Sequence, residues 1–192
     1  MFITFEGLDG SGSSTQARLL FEHFEKNKVP SIQTKEPTND TPIGKLIREY
    51  LQHKHKTNAQ ALQLLFAADR ENHLFQTILP AIESNKIVIS DRYLHSSIAF
   101  GSHCEKDFSW LKNLYKDFIQ PDLVFLLQVD PKTCIQRISE RGEAFELFEK
   151  EETLTRIWKY YELLAQENDN IHVIDGHQSI EKIHAIITDT VS

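Results

Sequence analysis

The chain has 192 residues and a mass of 22.3 kDa, the size of one domain. Its 21 basic and 28 acidic residues give a formal net charge of −7, which argues against a dedicated nucleic-acid binder but not against a locally positive site for a small anion. No uncharged apolar run reaches the about 20 residues of a membrane span, the start Met1-Phe2-Ile3-Thr4-Phe5-Glu6 lacks the regions of a signal peptide, and Cys104 and Cys134 make no disulfide framework, so reduced thiols in the cytoplasm are expected.

Phe2–Glu6 is short and apolar and stops at a glycine, the pattern of a buried strand. Gly7, Gly10 and Gly12 then demand a sharply turning backbone. Ala17, Leu20, Phe21 and Phe24 give a helical period over Ser14–Lys26. Val29–Thr34 is expected to be a second strand, and Glu36–Pro42, with its prolines and Asn39, a loop. Helices are expected over Ile43–Leu51 and over Asn58–Leu79, the latter capped by Asn58. Lys86–Ser90 is the clearest strand and ends at Asp91-Arg92-Tyr93. A helix over Asp107–Phe118, a strand over Leu123–Val129 and a helix over Lys132–Ser139 follow. After a polar segment at Arg141–Lys150 come a long helix to about Glu167, a strand at Ile171–Ile174 and a helix at Ser179–Thr188. No repeat or linker interrupts the chain, so residues 1–192 form a single domain. Apolar strands alternating with helices specify an α/β fold, with a parallel sheet of about five strands and helices on both faces.

Ligands of such sheets bind at the carboxyl ends of the strands. Polar clusters fall at those ends: Gly7–Thr15 after the first strand, Lys35-Glu36-Pro37 after the second, and Asp91-Arg92 after the third. Gly7-Leu8-Asp9-Gly10-Ser11-Gly12 has G-x-x-x-x-G spacing between a strand and a helix. Its backbone N–H groups and the following helix N-terminus suit a phosphate, and Ser14 or Thr15 offers a hydroxyl to Mg²⁺. The next residue is normally Lys, yet here it is Ser13. Losing that charge-assisted hydrogen bond costs roughly 1.5–3 kcal/mol, about tenfold to hundredfold in rate, unless another cation compensates. A tight turn that binds nothing is the plain alternative. Phe66 and Arg70, four apart, share a helix face and suit a planar base, the ring stacking and the guanidinium donating to a carbonyl. A core Phe and a surface Arg would give the same spacing. Asp91-Arg92 could equally be a surface ion pair, and Lys35 a solvated lysine. The nine histidines are scattered, with no ligand cluster, so no structural metal is expected.

Taken together these segments resemble the thymidylate kinase family of P-loop nucleoside monophosphate kinases, nearly end to end. The matching stretches are Phe5-Glu6-Gly7-Leu8-Asp9-Gly10-Ser11-Gly12 with Ser14-Thr15-Gln16, then Glu36-Pro37 with Thr41-Pro42 and Gly44. Leu64-Leu65-Phe66-Ala67-Ala68-Asp69-Arg70 and Asp91-Arg92-Tyr93 with Ser96-Ser97 and Ala99-Phe100 are the most specific. The resemblance implies a P-loop kinase-type sheet with a short lid at about 141–150, and transfer of the ATP γ-phosphoryl group to dTMP with Mg²⁺. It implies ATP contacts from Gly7, Leu8, Asp9, Gly10, Ser11, Gly12, Ser13, Ser14 and Thr15. It implies dTMP contacts from Asp9, Lys35, Phe66, Arg70, Arg92, Ser96, Ser97 and Phe100, the last set to disfavour a ribose 2′-OH. Asp9, Asp91, Arg92 and Arg141 are the expected catalytic residues, with Ser14 and Asp91 at the Mg²⁺, Asp91 through water. A homodimer is implied as well.

Three departures stand out. Lys35 replaces a more usual Arg, Gly101 a common Gln, and Glu146-Leu147-Phe148-Glu149 lacks the lid Arg that accompanies a loop without Lys. Arg137, Arg141, Lys150 and Arg156 remain as cation sources, Arg141 favoured by position. A nucleotide-binding pseudokinase, and a same-fold kinase for another deoxynucleotide or a deoxynucleoside, are the alternative readings.

Overall fold

The computed structural model describes residues 1–140 and 150–191. Five strands form one parallel sheet in the order β2-β3-β1-β4-β5. They are β1 (Phe2–Gly7), β2 (Ser31–Lys35), β3 (Ile87–Asp91), β4 (Leu123–Gln128) and β5 (Ile171–Asp175). The helices are α1 (Ser13–Lys26), α2 (Pro42–Leu51), α3 (Ala59–His73), α4 (Leu79–Glu83), α5 (Leu94–Gly101), α6 (Glu105–Tyr115), α7 (Pro131–Glu140), α8 (Glu151–Glu167) and α9 (Ile180–Val191). Of the lid expected at about 141–150, residues 141–149, Arg141 among them, lie outside the described residues.

Side-chain alternation along the central strands feeds two separate cores. Ile3 and Phe5 of β1, Ile89 of β3, and Phe125 and Leu127 of β4 pack with Ala17, Leu20, Ile183 and Ile187 from α1 and α9. The intervening Phe2, Val88 and Leu126 face the other way, onto Tyr93, Leu94, Ile98, Leu111, Leu154 and Tyr161. Both faces of the sheet are thus covered by helices, as near-continuous apolar strands require.

Two segments depart from the sequence reading. The helix expected to end at Leu79 continues to Glu83, passing through a wide turn at Leu74–Ile78 just ahead of Pro80. Proline has no N–H to donate, and the looser turn accommodates it. Leu94–Gly101 is helical although the sequence shows no amphipathic period there. All eight of its residues are buried, and a helix enclosed on every side carries no polar face to betray it. The caps follow local chemistry: Asn58 Oδ1 accepts the Ala61 N–H at 2.8 Å, and Thr41 Oγ1 accepts that of Gly44 at 2.9 Å ahead of Pro42.

Strand register sets up the site. Phe5 pairs with Asp91 across β1 and β3, and Lys35 with Asp91 across β2 and β3. The ends of β1, β2 and β3 are therefore side by side at one edge of the sheet.

Candidate active site

The loop after β1 turns through left-handed backbone at Gly10 (φ 86°) and Gly12 (φ 98°), where a side chain would be strained. Gly10 has a second reason to lack a side chain: a Cβ there would lie 2.6 Å from the Cys134 carbonyl oxygen of α7. Ser13 and Ser14 open α1, so their N–H groups are among the helix's free donors. Leu8 is fully buried in the core, so only its backbone is available to a phosphate. Of the two hydroxyls expected to compete for a metal, Ser14 reaches the site: its Oγ donates to Asp91 Oδ2 at 2.6 Å.

Asp91 is the hub. It also accepts from the Lys35 ammonium at 2.8 Å, while Ser13 Oγ stands 3.5 Å from its other oxygen. Lys35 is thus neither a free surface lysine nor a buried one; its side chain is 43% exposed with its head on the site. Hard carboxylate and hydroxyl oxygens so close together fit Mg²⁺.

Arg92 adopts φ 73°, a left-handed conformation that costs a non-glycine residue about 1–2 kcal/mol. That turn sends its side chain back over β1. The guanidinium donates to Asp9 Oδ1 at 2.6 Å, to the Gly7 carbonyl at 2.9 Å and to Ser96 Oγ at 3.0 Å, and lies 4.8 Å from the centre of the Phe100 ring. Burial alone would lower its pKa, but Asp9 first, then Tyr161, Asp91 and Glu6, outweigh burial and hold it raised. Asp91 and Arg92 therefore do not pair with each other at the surface; each reaches a different element of the site.

On α3, Phe66 is half-buried and Arg70 is 2% exposed, so a surface Arg is excluded. Arg70 Nε donates to Glu36 Oε2 at 2.7 Å and Nη2 to Ser97 Oγ at 3.0 Å. Its guanidinium carbon lies over the rings of Tyr93 and Tyr115, 5.1 and 4.7 Å from their centres. Nη1 is buried with no hydrogen-bond partner, a donor whose desolvation is uncompensated. Glu36 is held in turn by His73 Nδ1 at 2.9 Å.

Several residues of the site are marked in the sequence only by their polar side chain. Glu6 ends β1 fully buried and accepts from the Tyr93 N–H at 2.9 Å, from Tyr161 Oη at 3.0 Å and from Ser96 Oγ. Ser96 is thereby committed to Glu6 and Arg92 and holds the guanidinium from behind. Burial pushes the Glu6 carboxyl up to about 7, against the opposing pull of Ser96, Arg92, Tyr161 and Tyr93. Asp69 accepts from the Thr38 N–H at 2.7 Å and the Thr41 hydroxyl at 2.9 Å, pinning the loop after β2. Gln63 is buried with its Oε1 unpartnered, and its amide occupies the space that a side chain at Gly101 would need. A charged or amide residue on an apolar segment was the available clue in each case.

Comparison with known proteins gives a consistent result. The sequence model for thymidylate kinase matches residues 5–187. A probable thymidylate kinase of Thermococcus gammatolerans is 41% identical over 199 residues, covering 100% of this chain and 95% of the relative. The thymidylate kinase of Plasmodium falciparum is 36% identical over 192 residues, covering 100% and 89%. The solved thymidylate kinase of Candida albicans superposes with a TM-score of 0.83 at 29% identity, covering 99% of this chain and 90% of that one.

Proposed function

The chain belongs to the thymidylate kinase family and phosphorylates dTMP; on that premise we propose that it does so with the γ-phosphoryl group of Mg²⁺-bound ATP, at the edge formed by β1, β2 and β3. The observation that carries the placement is the meeting of Ser14, Lys35 and Asp91 at the mouth of the glycine loop, with Arg92 on the adjoining residue. A pseudokinase, or a kinase for another acceptor, finds no support in relatives that carry the thymidylate kinase name.

In this reading the unengaged N–H groups of the loop and of the start of α1 would hold the donor phosphates, and Ser14, with Asp91 through water, would hold Mg²⁺. Mg²⁺ there would neutralise negative charge on the phosphates. Arg92 takes the acceptor phosphate with its fork, oriented by Asp9, Ser96 and the Gly7 carbonyl. Lys35 adds charge on the same side. A phosphate oxygen is already ionised near neutral pH, so no general base is required; catalysis is positioning and electrostatics. Phe66 stacks on the thymine ring, and the unpartnered Arg70 Nη1 donates to a ring carbonyl. Ser97 fixes Arg70 from the other side. Phe100 backs the Arg92 guanidinium at the sugar side.

We further infer a homodimer built on α3 and its continuation, where Leu64, Phe75 and Leu79 are 51%, 75% and 38% exposed. Cytoplasmic residence is supported by the free thiols of Cys104 and Cys134. Among the described residues no helix is long and apolar enough to cross a membrane.

The test is coupled ADP release with dTMP beside dUMP, dCMP, dGMP and AMP. The highest kcat/KM is expected for dTMP; equal or better turnover of another acceptor would overturn the substrate assignment.

A further inference from the structure

The glycine loop lacks its usual ammonium, and the charge it normally brings must come from elsewhere or be lost. The nearby cations are largely engaged. Lys35 is paired with Asp91, Arg92 with Asp9 and Arg70 with Glu36. Arg137 is different. It projects from α7, the helix that Gly10 allows to abut the loop. Its Nη1 lies 3.3 Å from the Gly10 carbonyl oxygen and 3.4 Å from that of Ser11, and Nη2 lies 3.3 Å from that of Gly176. Among the described residues it has no carboxylate within ion-pair distance.

We propose that Arg137 is a positioning residue that supplies, through the loop backbone, the positive charge that Ser13 does not. The carbonyls of a phosphate-binding loop point away from the anion while their peptide N–H groups point toward it. The Gly10 carbonyl shares a peptide with the Ser11 N–H, which closes the turn onto Leu8 O at 3.0 Å. The Ser11 carbonyl shares a peptide with the Gly12 N–H. A guanidinium on the carbonyl side fixes both peptide planes and polarises them, which tightens the Ser11 turn bond to Leu8 and makes the Gly12 N–H a stronger donor to an anion. It also places a full positive charge against the carbonyl side of the loop, where the protein screens less than water. Its third contact, Gly176, ties the loop after β1 to the turn after β5. A mere mechanical brace would use the same contacts, and the experiment has to separate the two.

The proposal rests on ATP being the donor. Nucleotide affinities are measured by calorimetry with dTMP saturating the acceptor site, using AMP-PNP, ADP and AMP, for the parent chain and for Arg137→Gln. If Arg137 acts on the phosphates through the loop, AMP-PNP and ADP weaken about tenfold or more, while AMP changes less than about twofold. The same substitution is then made in a Ser13→Lys background, where the loop carries its own cation. There the loss shrinks to less than about threefold, because the two charges substitute for one another. Equal weakening of all three nucleotides, or an undiminished loss in the Ser13→Lys background, would overturn the proposal in favour of a brace, and no loss at all would overturn both. If Ser13→Lys fails to fold, judged by thermal melting, the nucleotide series in the parent background decides. A parent chain that binds no AMP-PNP overturns the donor reading, and the proposal with it; a parent that binds AMP-PNP while Arg137→Gln matches it overturns the proposal alone.

Discussion

Arg70 concentrates the cost of specificity in one side chain. A guanidinium at 2% exposure is tolerable because Glu36 neutralises it, two tyrosine rings lie against it, and Ser97 takes one of its nitrogens. Burial opposes its charge, but Glu36 and the two tyrosines outweigh burial and keep its pKa raised. Removing the carboxylate strands the cation: Glu36→Ala is expected to cost about 3–5 kcal/mol in urea unfolding. Arg70→Lys keeps the charge but not the fork, so it cannot serve Glu36, Ser97 and a base carbonyl together. KM for dTMP is expected to rise about tenfold or more with a smaller change in kcat, read from initial rates at saturating ATP. At this scale the sequence was informative where local spacing carried the information, as for Phe66 and Arg70 on one helix face or Ser14 behind the glycines. It was silent on Glu36, Asp69 and Glu6 as anchors. Their partners lie 34, 31 and up to 155 residues away, and no local pattern encodes such pairs.

At the scale of elements, the sheet was legible because each strand is a short apolar run closed by a turn residue, and the polar clusters mark which ends face the ligand. The buried helix α5 was not, since enclosure removes the polar face on which helical periodicity is read. The α3–α4 continuation poses a different problem. Its inner residues Leu74 and Ile78 are in the core, yet Phe75, one step round, is 75% exposed. A large aromatic left in water beside Leu64 and Leu79 is the mark of a surface meant for another chain. Phe75→Glu is therefore expected to leave the thermal midpoint of a dilute sample nearly unchanged while shifting the sedimentation coefficient from dimer to monomer. A parent chain that sediments as a monomer at tens of micromolar would remove the dimer from the account. Gly10→Ala is the companion prediction for the loop. Left-handed φ and a Cβ at 2.6 Å from the Cys134 carbonyl should displace α7 or the loop, weakening AMP-PNP binding more than dTMP binding.

For the whole molecule, the net charge of −7 says little about a site that handles two anions; what matters is how charges are held apart within it. Two buried groups make stability depend on pH in opposite directions. Burial, with Arg70 nearby, drives the His95 imidazole down to about 3, so the native state resists a proton that the unfolded chain accepts. Stability is therefore lost as pH falls below the ordinary histidine range. Glu6 works from the other side. With its folded pKa near 7, against 4.5 for an ordinary glutamate, the native state binds more protons than the unfolded chain between those values. Its contribution is fully present below about 4.5, declines as pH rises toward 7, and is gone above that. Glu6→Gln keeps the shape and an acceptor for the Tyr93 N–H without the buried charge. The difference in thermal midpoint, variant minus parent, is expected to be small at pH 5, to grow in the variant's favour up to about pH 7.5, and then to level off. A difference that stays flat from pH 5 to 8.5 would mean that Glu6 ionises at its ordinary value and that its three hydrogen-bond donors outweigh its burial. Arg92 supplies the functional counterpart. Glu6 holds Ser96, and Ser96 holds the guanidinium, so a carboxyl that burial raises to about 7 sits directly behind the Arg92 fork. The KM for dTMP should then vary with pH around 7 in the parent beyond what the substrate's own phosphate ionisation gives, and Glu6→Gln should abolish that excess, as a pH series comparing the two chains would show.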